Sequence, residues 1–358
     1  MEKRQLGAKD LRVSALGFGC AARGSRTERG AAMNAVRKAA DCGINFFDTA
    51  PFYGQGESER IIGAAFGKAR DRVIIATKVG LYPSLTLRVA ARLKPMVRSV
   101  LKALPGAGQK SFQKSVQGFM RSNKQVKFDR KSLVDSVDAS LKRLRTDYID
   151  LLLLHVTPEP HEIAEAVDQL SQLKQQGKIR HFGSSAQDTP DLMRWLERRG
   201  SGIDAVQIML NLCEIDAMDA CLPAAAAERV AVIAREPFAR GRLIPPREPK
   251  SNGLGFIGDN YDDRFQDYAR QLGRTVPQIA IQFLAQTPGI AVVLAGMSTI
   301  DHLLQNVAAL DLPKLTEQQN SAIRSIGLEL EIDEIGRTRR PHQQNAAEQP
   351  SRSQGTDG

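Results

Sequence analysis

A closed barrel of eight parallel strands wrapped by helices, the (β/α)8 TIM-barrel form of the α/β class, is the fold this sequence predicts, on three observations. Short apolar runs bounded by turn residues alternate with longer segments of helical period from the N-terminus to about Leu310. Eight such strand and helix pairs can be read along the chain. The rival, an open doubly wound sheet, would announce itself by a glycine-rich turn after its first strand. Here Gly17-Phe18-Gly19 runs into Cys20-Ala21-Ala22, without the third glycine.

The pairs fall in order. A strand near Val13 to Gly19 leads to a helix at Glu28 to Cys42, and a strand at Asn45 to Asp48 to a helix at Ser58 to Gly67. The third strand, Val73 to Lys78, reaches its helix, Lys131 to Leu144, only after a long insertion. Asp150 to His155 precedes the helix His161 to Gln176, and Ile179 to Ser184 precedes Pro190 to Arg199. Ala205 to Gln207 is followed by Ala217 to Ala227, Val230 to Arg235 by Val276 to Gln286, and Ala291 to Ala295 by Thr299 to Ala309. A length of 358 residues with 42% hydrophobic content suits one large barrel or two smaller domains. The rhythm favours one domain over 1–335.

Two segments break that rhythm. The insertion, 80–128, carries Arg88, Arg92, Lys94, Arg98, Lys102, Lys110, Lys114, Arg121, Lys124 and Lys127 and no acid. Within it Leu93, Met96, Val97, Val100, Leu101 and Leu104 predict an amphipathic basic helix, bent at Pro95. The tail, 336–358, is rich in Gln, Arg, Ser and Asn and is expected to be disordered.

Lys and Arg total 50 against 40 acids, a net charge of +10, and the excess is concentrated in the insertion. Nucleic acid is not expected as a partner, because only Phe112, Phe119 and Phe128 interleave with those cations. Cys20, Cys42, Cys213 and Cys221 are too scattered for a disulfide framework and form no CxxC pair, so no metal is expected and a reducing, cytoplasmic location is. The start, MEKRQLGAKDL, lacks a signal-type apolar run, and no stretch approaches the roughly 20 apolar residues of a transmembrane helix.

Three strands read as apolar runs ending in one ionisable group: INFFD in Asp48, VIIATK in Lys78, DLLLLH in His155. Burying an unpaired charge is costly, so such residues should be paired, functional or both. In a barrel these strands are neighbours about 4.8 Å apart, and their ends share the rim where catalytic groups of such barrels sit. Tyr53, five residues past Asp48, can lean over the same spot. The quartet suits proton donation to a carbonyl: Lys78 would make the Tyr53 phenol more acidic, Asp48 would hold Lys78, and His155 would orient the carbonyl oxygen. A cofactor must supply the hydride. The plainer alternative makes Asp48 and Lys78 a core ion pair, His155 a satisfied core histidine and Tyr53 a loop aromatic. Agreement of the signals at adjacent strand ends weighs against it.

These residues resemble the aldo-keto reductase family, whose Asp, Tyr, Lys and His tetrad matches Asp48, Tyr53, Lys78 and His155. DTAPFYGQGESERIIGAAF, SLKRLRTDYIDLLLLH and GKIRHFGSS are similar to its signatures, and QLGAKDLRVSALGFG to its N-terminal hairpin, which plugs the barrel. The resemblance implies an NADPH-dependent oxidoreductase that reduces a small aldehyde or ketone. It implies cofactor contacts at Ser185, at Gln207 for the nicotinamide carboxamide, and at Gly296, Ser298, His302 and Asn306 for the adenosine phosphate. The family's Asn after the serine is Ala186 here, and Arg235 stands where many members stack an aromatic ring. No Arg or Lys occupies the 2′-phosphate region, which leaves NADH open; the plain reading of Ser298 and Thr299 is a helix cap.

The insertion leaves the rim, as a lid that attracts an acidic substrate, a docking helix, or a solvated loop. The rival function is a nicotinamide-binding regulatory or scaffold subunit that docks a partner through the insertion. Retention of all four tetrad residues argues against it.

Overall fold

The computed structural model describes residues 1–6, 11–21, 29–83, 124–197, 202–244, 263–297 and 299–339. Eight parallel strands close into a barrel: β3 (Leu16–Gly19), β4 (Phe46–Asp48), β5 (Ile74–Val79), β8 (Ile149–Leu154), β9 (Ile179–Ser185), β10 (Ala205–Met209), β11 (Ala231–Arg235) and β12 (Ile290–Gly296), the last pairing back onto β3. Helices α1 (Arg29–Asp41), α2 (Glu57–Phe66), α3 (Arg130–Leu144), α4 (Ile163–Gln175), α5 (Thr189–Leu196), α6 (Ile215–Ala227), α7 (Asp263–Gln271), α8 (Val276–Gln286), α9 (Ile300–Ala308) and α10 (Glu317–Arg339) alternate with the strands or follow them.

The first expected strand is two. β1 (Lys3–Gln5) pairs antiparallel with β2 (Arg12–Ser14), and the chain bends at Ala15 before β3 enters the barrel. The bend lets Leu6, Leu11 and Val13 of the hairpin join the core inside the barrel, with Phe46, Ile74, Leu151, Leu153, Ile233 and Leu294. Those apolar side chains close one end of the barrel, and burying each contributes roughly 1.5–3 kcal/mol.

Side chains of a strand alternate between faces, and that parity places the chemistry. Phe46 points into the barrel while Phe47 joins the outer core against the helices. The alternation carries Asp48 inward. Along β5, Ile74 and Ala76 point in and Ile75 out, so Lys78 points in. Along β8, Leu151 and Leu153 point in and Leu152 and Leu154 out, and His155, one residue past the strand, follows with the inward parity.

Outside the barrel, Glu59 of α2 is fully buried; Arg143 of α3 donates to it through Nε at 2.5 Å and Thr77 of β5 through Oγ1 at 2.7 Å. Glu59→Ala should leave Arg143 unpaired in the seam, a loss of about 3–5 kcal/mol of folding free energy. Urea unfolding of the variant measures it, and a change below about 1 kcal/mol would mean the pair contributes no more than an exposed one.

Helices α7 and α10 are absent from the sequence expectation. In α10 the close approach is made by Gly327, where a Cβ would sit 2.3 Å from the Leu212 carbonyl oxygen. The helix continues to Arg339, four residues into the segment expected to be disordered, and the rest of that tail lies outside the described residues. Of the insertion, β6 (Leu81–Pro83) and β7 (Lys124–Val126) form an antiparallel pair directly after β5. The expected amphipathic helix and its bend at Pro95 also lie outside the described residues. Among the described residues no helix is long and apolar enough to cross a membrane, and no group of His, Cys, Asp and Glu could hold a metal.

Candidate active site

Asp48 and Lys78 are both buried on neighbouring strands, Asp48 in register with Ala76 two residues before Lys78. Lys78 Nζ donates to Asp48 Oδ1 at 2.6 Å and Oδ2 at 2.7 Å, and to the Thr49 carbonyl oxygen at 3.2 Å. Burial disfavours its ammonium, but the Asp48 carboxylate outweighs that cost and Lys78 titrates above the ordinary lysine value. Lys78 is therefore a fixed cation at physiological pH.

Tyr53 completes the group through a turn rather than a strand. The segment Tyr53–Gly56 holds Gly54 (φ 59°), Gln55 (φ 57°) and Gly56 (φ 86°) in the left-handed region, two of the three being glycine as that geometry favours. The turn sets Tyr53 Oη 3.4 Å from Lys78 Nζ. The His155 ring meets the Tyr53 ring edge-on at 5.9 Å and the Phe52 ring at 6.4 Å. All four expected residues are thus brought together.

The expected electrostatics at Tyr53 are not. Desolvation raises the phenol above its ordinary value of 10.0, and the pull of Lys78 only partly opposes it because Asp48, beside Lys78, pushes the other way. In the resting protein Tyr53 is therefore a firmly protonated phenol. Lys78 was expected to outweigh the cost of burial; desolvation is instead the larger effect, and Asp48 cancels part of the pull of the ammonium.

Of the expected cofactor residues, Gln207 and Ser185 are buried beside the pair. Gln207 Nε2 donates to Asp48 Oδ1 at 2.9 Å, and Ser185 Oγ lies 3.5 Å from Gln207 Oε1. The link from Gln207 to Asp48 spans 159 residues and has no signal in the sequence. Arg235, at the end of β11, donates through Nη2 to the Ala186 carbonyl oxygen at 3.0 Å and pairs through Nη1 with Glu236 at 2.7 Å. Gly296 ends β12, exposed, with nothing within 4 Å of where a Cβ would stand. Thr299 caps α9 by accepting from His302 N, as the plain reading had it; Asn306 is buried in that helix, and Ser298 lies outside the described residues.

These residues suit a flat, acceptor-rich ligand. Arg235 Nε and Asn211 Nδ2, at this end of β10 and β11, are buried donors with no hydrogen-bond partner among the described residues, each costly unless something accepts from it. The amide of Gln207 keeps a second N–H beyond the one given to Asp48. A nicotinamide carboxamide and a phosphate backbone both supply such acceptors. A cavity of about 1090 Å³ lies elsewhere, lined by Lys3, Arg12, Arg72 and Arg180 among others near the strand starts, and none of the four tetrad residues reaches it.

The sequence profile of the Aldo/keto reductase family matches residues 15–327. The chain is 29% identical over 336 residues, 91% of its length and 96% of the relative's, to the uncharacterized oxidoreductase YqkF of Bacillus subtilis. Among solved structures it is similar to the aldo-keto reductase AKR11C1 of Bacillus halodurans in its holo form, at a TM-score of 0.69 and 29% identity, covering 91% of this chain and 96% of that one. It is also similar to an aldo/keto reductase of Klebsiella pneumoniae in complex with NADP and acetate, at a TM-score of 0.65 and 25% identity, covering 91% and 95%.

Proposed function

Because the chain belongs to the Aldo/keto reductase family and is an NAD(P)H-dependent oxidoreductase, we propose that it reduces a small aldehyde or ketone to the alcohol, with Tyr53 as proton donor and NADPH as the preferred cofactor. The bound nicotinamide supplies the hydride to the carbonyl carbon. The observation that carries this reading is the phenol 3.4 Å from an ammonium that a buried carboxylate fixes from both of its oxygens.

Each side chain then has a task. Tyr53 holds its proton until the carbonyl oxygen gains negative charge, and gives it there as general acid. Its raised pKa keeps the acid form fully populated at neutral pH. Lys78 acts after the proton has left, by stabilising the phenolate at short range in a poorly screened site. Asp48 keeps that ammonium in place, and His155, beside the Tyr53 ring, orients the carbonyl oxygen. Ser185 and Gln207 would hold the carboxamide, Arg235 the face of the ring, and Gly296, Ser298, His302 and Asn306 the adenosine phosphate. The Klebsiella relative was solved with NADP, which supports NADPH, and NADH is tested beside it because an Escherichia coli relative is an NADH-specific methylglyoxal reductase. A carboxylate- or phosphate-bearing carbonyl compound is the favoured substrate class, since the acid-free insertion of ten cations begins directly after β5.

Loss of NADPH absorbance in the presence of nitrobenzaldehyde tests the reading. Turnover should stay level through neutral pH and decline only as the medium passes about pH 10, because Tyr53 loses its proton above its ordinary value. No oxidation of NADPH or NADH across a panel of aldehydes and ketones would overturn the function. An alkaline decline centred near pH 8 would assign the proton to another group.

A further inference from the structure

We propose that Arg235 makes this site discriminate between the two redox states of its cofactor, binding the neutral reduced nicotinamide more tightly than the cationic oxidised one. The inference rests on the nicotinamide reading above and deepens it.

Parity places Arg235 on the inner face: Ala231 and Ile233 point into the barrel, so two residues later Arg235 does too, at the rim. It adjoins the wall that carries Ser185 and Gln207, because its Nη2 reaches the carbonyl oxygen of Ala186, the residue after Ser185. The small side chain at Ala186 leaves that oxygen open to it. Behind burial, Lys78 and Asp48, Arg235 is the remaining charge that bears on the Tyr53 phenol. A ring that delivers hydride to the carbonyl Tyr53 protonates must lie within a few ångströms of that phenol, and so within the field of the same guanidinium.

The charges there do not cancel. Lys78 and Asp48 neutralise each other. Arg235 shares Glu236 with Arg240, whose Nε donates to Glu236 Oε2 at 2.6 Å, so two guanidiniums stand against one carboxylate. Glu236 is partly exposed and screened by water, whereas Arg235 Nε is buried with no partner among the described residues. The loop that holds this arrangement keeps Glu236, Ala239 and Arg240 in the left-handed region, a conformation that persists only where neighbours enforce it.

Against a dihydropyridine ring, neutral and electron-rich, a guanidinium face is attractive. Against a pyridinium it meets a like charge in a medium of low dielectric. An aromatic ring in the same place would tilt the preference the other way, since its π face attracts the cationic pyridinium. The consequence is a site that favours the reduced cofactor on entry and sheds the oxidised one after the reaction.

Direct titration of the full chain, without substrate, tests this: NADPH and NADH by fluorescence, NADP⁺ and NAD⁺ by calorimetry. The reduced form should bind about tenfold more tightly than the oxidised form in each pair, the equivalent of about 1.4 kcal/mol. Arg235→Met should bring the ratio to within about twofold, Arg235→Lys should keep most of it, and Glu236→Gln should widen it. Equal affinities in the wild type, or a ratio unmoved in Arg235→Met while Glu236→Gln is also silent, overturn the inference and leave the proposed function standing. Failure of all four nucleotides to bind overturns both.

Discussion

Tyr53→Phe is expected to lower kcat for carbonyl reduction by roughly 10²–10⁴-fold, the contribution of a positioned general acid, while cofactor affinity changes less than about threefold, since the phenol oxygen is the only atom removed. The reason is geometric. Tyr53 Oη is the one titratable hydroxyl within reach of Lys78 Nζ among the described residues, and removing it takes away the phenolic proton while Lys78 stays held by Asp48. The ring itself stays edge-on to His155, so packing of the site is preserved. Single-turnover kinetics with NADPH and nitrobenzaldehyde, beside a nucleotide titration, check both halves. A variant that retains more than about a tenth of wild-type turnover would show that water or His155 gives the proton.

Lys78→Met should be the most damaging single change, because it acts on stability and on catalysis together. Asp48 is buried, and among the described residues its one cation is Lys78 and its other side-chain donor is the Gln207 amide. Deleting one partner of a buried ion pair costs about 3–5 kcal/mol, and Asp48→Asn in the same chain should return part of that by removing the stranded charge. The linkage with pH has one sign. The folded pKa of Lys78 lies above the ordinary 10.5, so its contribution is complete below that value and fades as pH rises through the folded pKa. Wild-type and Lys78→Met unfolding curves should therefore run parallel from neutral pH to about pH 10 and converge only beyond it. Equal stability of the two at pH 7 would show that the pair contributes nothing net, as happens for some buried ion pairs. Catalysis would still fall in the variant, and the double variant would recover stability without recovering turnover, which separates the two roles.

The barrel and the tetrad were legible for the same reason. Strand alternation is a local rule, so an apolar run with an ionisable last residue of inward parity announces both a barrel strand and what it presents at the rim; FFD, IIATK and LLLLH follow it. Three other features follow no local rule. The break of the first strand at Ala15 depends on the hairpin packing beneath the barrel, and β2 and β3 read as one run because no Pro, Gly or Asn turn signal stands between Val13 and Leu16. Helix α10 lacks a sustained apolar stripe and is held by the close approach of Gly327 to Leu212 and Ile215, a contact across more than a hundred residues. Gln207 meets Asp48 because β10 and β4 face each other across the closed barrel, and Arg235 reaches the Ala186 carbonyl because β11 and β9 flank β10.

What the sequence alone determined is which side chains face inward at the end of each strand, because the pleat has a period of two whatever surrounds it. Tertiary structure decided what those side chains experience. The Tyr53 phenol is the clearest instance: counting neighbours along the chain makes it more acidic, whereas the folded protein, by removing water and setting Asp48 beside Lys78, makes it less so. Desolvation belongs to the assembled barrel and is encoded in no single segment of the chain.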